Sequence, residues 1–453
     1  MLIVNMVVPA LLLTAPAPRP PDSVVAFVDV TVIPMDRDRM LPAQTVVVQG
    51  DRISAIGPRG QVKLPRGSRK VDGRGKFLIP GLAEMHAHIP GGEVADSLVE
   101  RTLFMYVARG ITTIRGMLGH PKHLDLRARV GRGELLSPTI YTSGPSLNGN
   151  SVPTPGAAAR AVTEQKAAGY DFLKIHPGID GEVFDTLAVT AQRLGIRFAG
   201  HVPLAVGLER ALETGYTTID HLDGYIEAMV RQGASSASQS EFFGLNLGPH
   251  LDPSRLPALV QATKEARVWN VPTQVLMENL VPETSVEALE QRPEMRYVSR
   301  ETKSEWAKTK SSMLAETGST PESARRVMDV RRKLIKALNA AGAGLLLGSD
   351  APQIYNVPGF STHRELESLV AAGLTPYQAL ETGTRNIAVF FRTQQRTGTI
   401  EVGKRADLVL LDANPLAAVK NTASQSGVML RGRWLPKSEI DTRLAAIAKS
   451  VGN

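Results

Sequence analysis

Two rhythms of apolar and polar positions divide the chain. Between Val24 and Lys76, β-branched runs such as Val24-Val25-Ala26-Phe27-Val28 and Gln44-Thr45-Val46-Val47-Val48-Gln49 are separated by the turn-formers Gly50-Asp51 and Gly57-Pro58, which predicts an all-β segment. From Phe77 onward, short apolar runs alternate with Ala-, Leu- and Arg-rich stretches long enough for helices. That alternation is the mark of repeated βα units around a parallel sheet. Eight such runs end near His88, Arg115, Gly144, Lys174, His201, His221, Val275 and Asp350. The predicted fold class is therefore α/β, a (β/α)8 TIM barrel over residues 77–396 with its working residues at the C-terminal strand ends. After Arg396 the β character returns in Gly398-Thr399-Ile400, Ala406-Asp407-Leu408-Val409-Leu410-Leu411 and Gly427-Val428-Met429-Leu430. Residues 24–76 and 397–436 are expected to form one small flanking β-sandwich from both chain ends, followed by a C-terminal helix or tail over 437–453.

Two segments interrupt the rhythm. Residues 226–256 follow the sixth strand, are rich in Gly, Ser and Asn, and contain Phe242-Phe243. Residues 279–341 follow the seventh and hold two charged helices. On the predicted topology both emerge on the catalytic face, as substrate-side walls or lids. For 279–341, peripheral helices or a contact between copies is an equally open reading.

A chain of 453 residues is long enough for one barrel and a smaller domain. Cysteine is absent, which excludes disulfides, thiolate metal sites and a cysteine nucleophile, so any metal must be held by nitrogen and oxygen. The net charge is +8, but no nucleic-acid reading motif accompanies it, and no nucleic-acid partner is expected. The densest basic stretch, Arg325 to Lys333, reads as a solvated helix face. Met1–Leu13 is apolar and leads to Ala15-Pro16-Ala17, the pattern of an export signal, which makes residues 1–23 a signal peptide and the protein periplasmic or secreted. No Lys or Arg precedes the run and Pro18 follows the cut, so a disordered start to a cytoplasmic protein is the alternative. The run is too short for a stable membrane span. A homo-oligomer is expected.

The chemistry gathers at the strand ends. In Ile79-Pro80-Gly81-Leu82-Ala83-Glu84-Met85-His86-Ala87-His88, the two histidines project to the same side of a strand, and imidazole suits Zn²⁺ and its neighbours. Further along come Lys174 at the fourth strand end, His201 at the fifth, His221 at the sixth and Asp350 at the eighth. The chain has nine histidines, and four of them stand at these points just past apolar runs. Singly, each has a bland reading: His201 or His221 a core histidine, Asp350 a helix N-cap, Lys174 a lysine paired to an acid. Together they read as a metal site. His120, His123, His250 and His363 lie away from strand ends, and His363 reads as structural.

The Pro80-Gly81-Leu82 lead-in to His86-x-His88, the Ile111-Thr112-Thr113 strand, Gly348-Ser349-Asp350 and the closing Gly403-Lys404-Arg405-Ala406-Asp407-Leu408-Val409 resemble the amidohydrolase superfamily. The branch is that of imidazolonepropionase-like and Xaa-Pro dipeptidase-like hydrolases, and the resemblance runs from Ala26 to Leu435. It implies two divalent metal ions, expected to be Zn²⁺. His86, His88 and Asp350 would hold the more buried ion, His201 and His221 the second, and Lys174 would bridge them as a carbamate. A protonated ammonium has no lone pair to offer, which is why the modification is required. The implied reaction is attack of a bridging hydroxide on the amide bond of a small N-acyl amino acid, dipeptide or ochratoxin-like aryl amide. Asp350 would carry the proton, and Tyr225 and His176 are candidates to stabilise the oxyanion. The superfamily's second strand usually ends Arg-Asp, whereas this chain has Arg115-Gly116, so an outer carboxylate is expected to be missing. Two alternatives stand beside this reading. One is a cyclic-amide or lactone hydrolase like imidazolonepropionase, against which Lys174 argues. The other is a non-catalytic scaffold, against which the complete ligand set argues.

Overall fold

The computed structural model describes residues 24–231 and 243–452. The export-signal reading of residues 1–23 and part of the 226–256 segment, Phe242 included, lie outside them. Fifteen strands are present among the described residues: β1 Val24–Val32, β2 Leu41–Gln49, β3 Arg52–Pro58, β4 Arg69–Asp72, β5 Phe77–Pro80, β6 Leu82–Ala87, β7 Ile111–Gly116, β8 Thr139–Thr142, β9 Phe172–Ile175, β10 Arg197–Gly200, β11 Thr218–Asp220, β12 Trp269–Val271, β13 Leu408–Leu411, β14 Gln425–Leu430 and β15 Arg433–Pro436. The molecule is α/β, with one mixed sheet and two parallel ones.

The mixed sheet draws on both chain ends, in the order β15-β14-β13-β5-β1-β2-β3 with β4 also paired to β1. Strands far apart in that order share one apolar core, in which Phe27, Val46, Val48, Ile53, Leu408, Leu410, Met429 and Trp434 are buried together. Phe27 meets Trp434 edge to face at 5.1 Å, joining residues four hundred positions apart in the chain.

The parallel sheets are β6-β7-β8 and β9-β10-β11-β12. Isolated parallel bridges link them: Ser143 with Phe172, Leu147 with Ile175, Asn270 with Leu345, and Ala87 with Ala351. Helices pack outside, among them Pro155–Ala168 and Gly181–Leu194, each opened by a side-chain cap and closed by a left-handed glycine.

Two expected boundaries are corrected. The apolar run from Phe77 is not one strand: β5 belongs to the mixed sheet, paired with β13, and β6 to a parallel one. The break falls at Gly81, where a Cβ would lie 2.3 Å from Thr112 Oγ1, so only glycine lets the chain cross between sheets here. The seventh strand ends at Val271, and Val275 belongs to the helix Gln274–Leu280. Pro272 has no N–H for the ladder and Thr273 turns left-handed (φ 44°), which stops the strand early. The eighth run, 344–350, joins its neighbours through single bridges and is not a regular strand.

The two charged helices of 279–341 are Arg300–Thr317 and Pro321–Ala341. The basic stretch within the second is only partly solvated. Arg331 is 1% exposed, on the same face as Ala324, Val327, Met328 and Ile335. Its guanidinium donates to the carbonyls of His221 (2.6 Å) and Pro272 (2.8 Å) and to Gln274 Oε1 (3.0 Å). This helix is thereby tied to the strand ends. No helix among the described residues is long and apolar enough to cross a membrane.

Candidate metal centre

The strand ends bring the candidate ligands together. β6 delivers His86 into the interior and His88 one residue past its end; β9 delivers Lys174; β10 and β11 stop one residue short of His201 and His221. His86, His221 and Asp350 place ligand atoms within 4.8 Å of one another. His88 Nε2 is 2.6 Å from Asp350 Oδ1, His86 Nε2 is 3.4 Å from the same oxygen, and Lys174 Nζ is 3.5 Å from His86 Nε2. The rings of His86 and His221 lie 4.5 Å apart, and those of His221 and His201 4.6 Å. All six residues chosen from the sequence therefore share one site.

Backbone geometry is special at this site. His221 and Asp350 both adopt left-handed conformations, at φ 62° and 65°, which non-glycine residues take rarely and which gather at functional sites. Gly200 makes room for the lysine: a Cβ there would stand 2.8 Å from Lys174 Cδ.

Two of the imidazoles are held by a second group. His201 Nδ1 is 2.6 Å from Asp223 Oδ2, and His221 Nδ1 is 2.8 Å from Thr273 Oγ1. His86 Nδ1 lies 2.9 Å from Asp220 Oδ2, too far off line to count as a hydrogen bond, and has no hydrogen-bond partner among the described residues. Asp220 is gripped by Arg115 Nη2 at 3.1 and 3.2 Å and by the Thr218 hydroxyl at 2.8 Å. The outer carboxylate expected to be missing at Arg115-Gly116 thus arrives from β11, beside the same histidine. Fixing one ring nitrogen in this way leaves the other free as a donor.

Electrostatics favour lone pairs over protons. Burial holds His86 and His221 well below the ordinary histidine range, against the pull of Asp350 on His86 and with the neighbouring cationic groups adding to it, so both are neutral. Burial also pushes the Lys174 ammonium down, against the pull of Asp220 and Asp350. At Asp350 burial favours the neutral acid, but His88, through its charge and its hydrogen bond, and Lys174 oppose it, and the carboxyl is held well below the ordinary carboxylate range. Neutral imidazoles, a carboxylate and a loosened amine with no thiolate make a donor set that fits hard or borderline divalent ions.

The two oxyanion candidates part company. His176, one residue past β9, stands beside the cluster with its ring 5.0 Å from that of His201 and its Nδ1 2.6 Å from Ser146 Oγ. Burial, then Lys174, lowers it to about 2. Tyr225 has its hydroxyl engaged elsewhere. It opens the short helix Tyr225–Ala228, and its buried hydroxyl is hydrogen-bonded to Thr263 Oγ1 at 2.7 Å. His363 is structural as expected, between Thr422 Oγ1 (2.8 Å) and the Arg109 carbonyl (2.9 Å).

Sequence reasoning passed over Glu84. Its fully buried carboxyl accepts from the amides of His86 (3.1 Å) and Ser349 (2.7 Å) and from the hydroxyls of Ser349 and Thr362 (both 2.7 Å). It locks the His86 strand to the segment bearing Asp350. Burial pushes its pKa up to about 7 against those four donors. The available signal was an acid inside an apolar run, two residues before His86. Phe243, from the 226–256 segment, lies over the rings of His221 (5.4 Å) and His201 (6.4 Å) and gives the site an apolar wall.

Residues 77–435 match the family model described as "Amidohydrolase family". Ochratoxinase of Aspergillus niger is 22% identical over 426 residues, covering 86% of this chain and 81% of that protein. Among solved structures, bottromycin amidohydrolase superposes with a TM-score of 0.71 at 22% identity, over 96% of this chain and 91% of its own. A putative prolidase from Bifidobacterium longum gives 0.68 at 24% identity, over 94% and 100%. With the family match spanning most of the chain, and with a buried cluster able to hold a metal ion, this protein belongs to the amidohydrolase family and is a hydrolase of carbon–nitrogen bonds.

Proposed function

We propose that the chain is a binuclear metal-dependent amide hydrolase acting on small N-acyl amino acids, dipeptides or aryl amides. The single observation that carries this reading is the clustering of His86, His221 and Asp350 within reach of one ion, with His88 on Asp350, Lys174 Nζ 3.5 Å from His86 and the His201 ring 4.6 Å from that of His221. The parallel pairings from β6 through β12, with the bridges at Leu345 and Ala351, support a closed (β/α)8 barrel over 77–396. The shared core of β3 and β13–β15 supports a flanking sandwich from 24–76 and 397–436.

In this reading His86, His88 and Asp350 hold one divalent ion, expected to be zinc, and His201 and His221 hold another. The bound ions supply Lewis acidity, acidifying water and polarising a carbonyl. With its ammonium form disfavoured by burial, the free amine of Lys174 adds its lone pair to the carbon of CO2 and releases a proton to solvent. The resulting carbamate is an anion with two oxygens where an ammonium had none. Asp350, held ionised, takes a proton from the attacking water at a carboxylate oxygen and returns it to the leaving amine. His176, with Nδ1 engaged by Ser146, presents its other ring nitrogen to the carbonyl oxygen as negative charge grows there. Phe243 excludes water from one side and favours an apolar substrate group. Lys174 speaks against the imidazolonepropionase-like alternative.

Substrate class is tested by assaying purified protein, prepared with zinc and bicarbonate, against dipeptides, N-acyl amino acids, aryl amides and lactones. Release of free amine from an acyclic amide supports the reading. Turnover confined to lactones or cyclic amides would replace it with the alternative.

A further inference from the structure

A second cavity lies at the opposite ends of the same strands. It has a volume of about 260 Å³ and is lined at the N-terminal ends of β9 and β10 by Phe172, Ile196 and Arg197, with Tyr141, Phe390 and Phe391 beside them. Five aromatic residues, Tyr170 among them, contribute to its walls. Tyr141 and Phe391 stack face to face at 3.7 Å, and the guanidinium groups of Arg115 and Arg197 each lie 5.7 Å from the Phe390 centroid.

The charge on this cavity is one-sided. Arg197 is part-buried, and among the described residues its only hydrogen bond goes to the Phe390 carbonyl at 3.3 Å, with no carboxylate paired to it. Lys166, at the rim, is bonded to the carbonyl of Gly195. The one acid in the lining, Asp171, is already engaged by Arg127 at 2.7 Å and by the Thr142 amide at 2.8 Å. A cation drawn out of water costs free energy unless an anion or hydrogen-bond acceptors compensate it, and one carbonyl at 3.3 Å is a weak return. Such a face is unusual at the N-terminal ends of parallel strands, where packing normally serves stability alone.

We propose that this cavity binds a small aromatic carboxylate, its ring among Tyr141, Phe172, Phe390 and Phe391 and its carboxylate on Arg197. The aromatic walls suit a flat ring, guanidinium suits a carboxylate in a two-bonded pair, and an uncharged or cationic ligand would leave Arg197 uncompensated. The site is separate from the metal cluster, which stands at the C-terminal strand ends. Arg115 spans the distance between them: it lines the cavity and holds Asp220 beside His86.

The test uses benzoate as probe on the metal-loaded protein, with binding read by saturation-transfer NMR and calorimetry and no reliance on turnover. Wild-type protein should bind benzoate at least tenfold more tightly than benzyl alcohol, which keeps the ring and lacks the charge. Arg197→Gln should weaken benzoate at least tenfold, and Phe391→Ala should weaken it too while both variants keep wild-type melting curves. Benzoate affinity unchanged by Arg197→Gln would overturn the proposal, because it would place the anion at the metal cluster or on the general surface. Equal binding of benzoate and benzyl alcohol would overturn it as well.

Discussion

In the proposed function, Lys174 is the residue on which the chemistry turns. It is fully buried, its charge is opposed by burial, and a glycine in the neighbouring strand makes room for its side chain. Lys174→Ala should lower bound metal from two ions per chain to one or none and reduce kcat by at least a hundredfold, measured by elemental analysis and steady-state kinetics. Asp350→Asn keeps the shape of the side chain but cannot carry a proton. It should lower kcat by about 10²–10⁴-fold, in line with loss of general acid–base catalysis, and change KM little. Asp223→Asn removes the carboxylate that orients His201 and should weaken metal binding about 10–100-fold, measured by competition with a chelator. The six candidate ligands could be picked out of the sequence because each stands at the end of an apolar run. Their supporting groups were not, because Asp220 and Asp223 look like ordinary acids flanking a histidine until the fold shows which ring each one meets.

At the scale of elements, the insertion after β12 is part of the site's foundation. The helix Pro321–Ala341 sends Arg331 inward to three acceptors around His221 and Pro272. Arg331→Met should cost about 2–4 kcal/mol, the penalty for stranding buried acceptors, and should lower metal retention, read by thermal melting and elemental analysis. The neighbouring helix Arg300–Thr317 buries Lys310, whose ammonium donates to the carbonyls of Asn279 (2.5 Å) and Val281 (2.9 Å) at the end of Gln274–Leu280. Burial lowers that lysine to about 8, below its ordinary 10.5. Between those values the unfolded chain binds more protons than the folded one, so Lys310 contributes a rise in stability as pH goes from 8 to 10.5. Lys310→Met should flatten that rise, measured by melting at pH 8 and pH 10; an identical slope in both proteins would contradict the assignment. From sequence, the charged character of both helices hid their buried faces, since one arginine among several gives no sign of which face it occupies. The ends of the seventh and eighth strands were misplaced or blurred for a different reason. Pro272 and the left-handed residues Thr273 and Asp350 end regular pairing where an apolar pattern alone continues.

For the whole molecule, the large-scale order was readable: β at both ends, βα repeats between. The repeat of apolar runs reports directly on strands buried on both faces. What the pattern could not show is how the ends meet, because β5 and β6 read as one run and Phe27 and Trp434 are far apart in sequence. Trp434→Ala should destabilise the protein by about 3–5 kcal/mol through loss of buried aromatic surface and the cavity left behind, seen as a lowered denaturant midpoint. The central claim is that this fold assembles a two-ion site bridged by Lys174. It is tested most directly by metal stoichiometry, measured on protein purified with zinc and bicarbonate and then dialysed. Two ions per chain in the wild type, falling to one or none in Lys174→Ala, is the result expected here. No stoichiometric metal in the wild type, or two ions retained without Lys174, would contradict it.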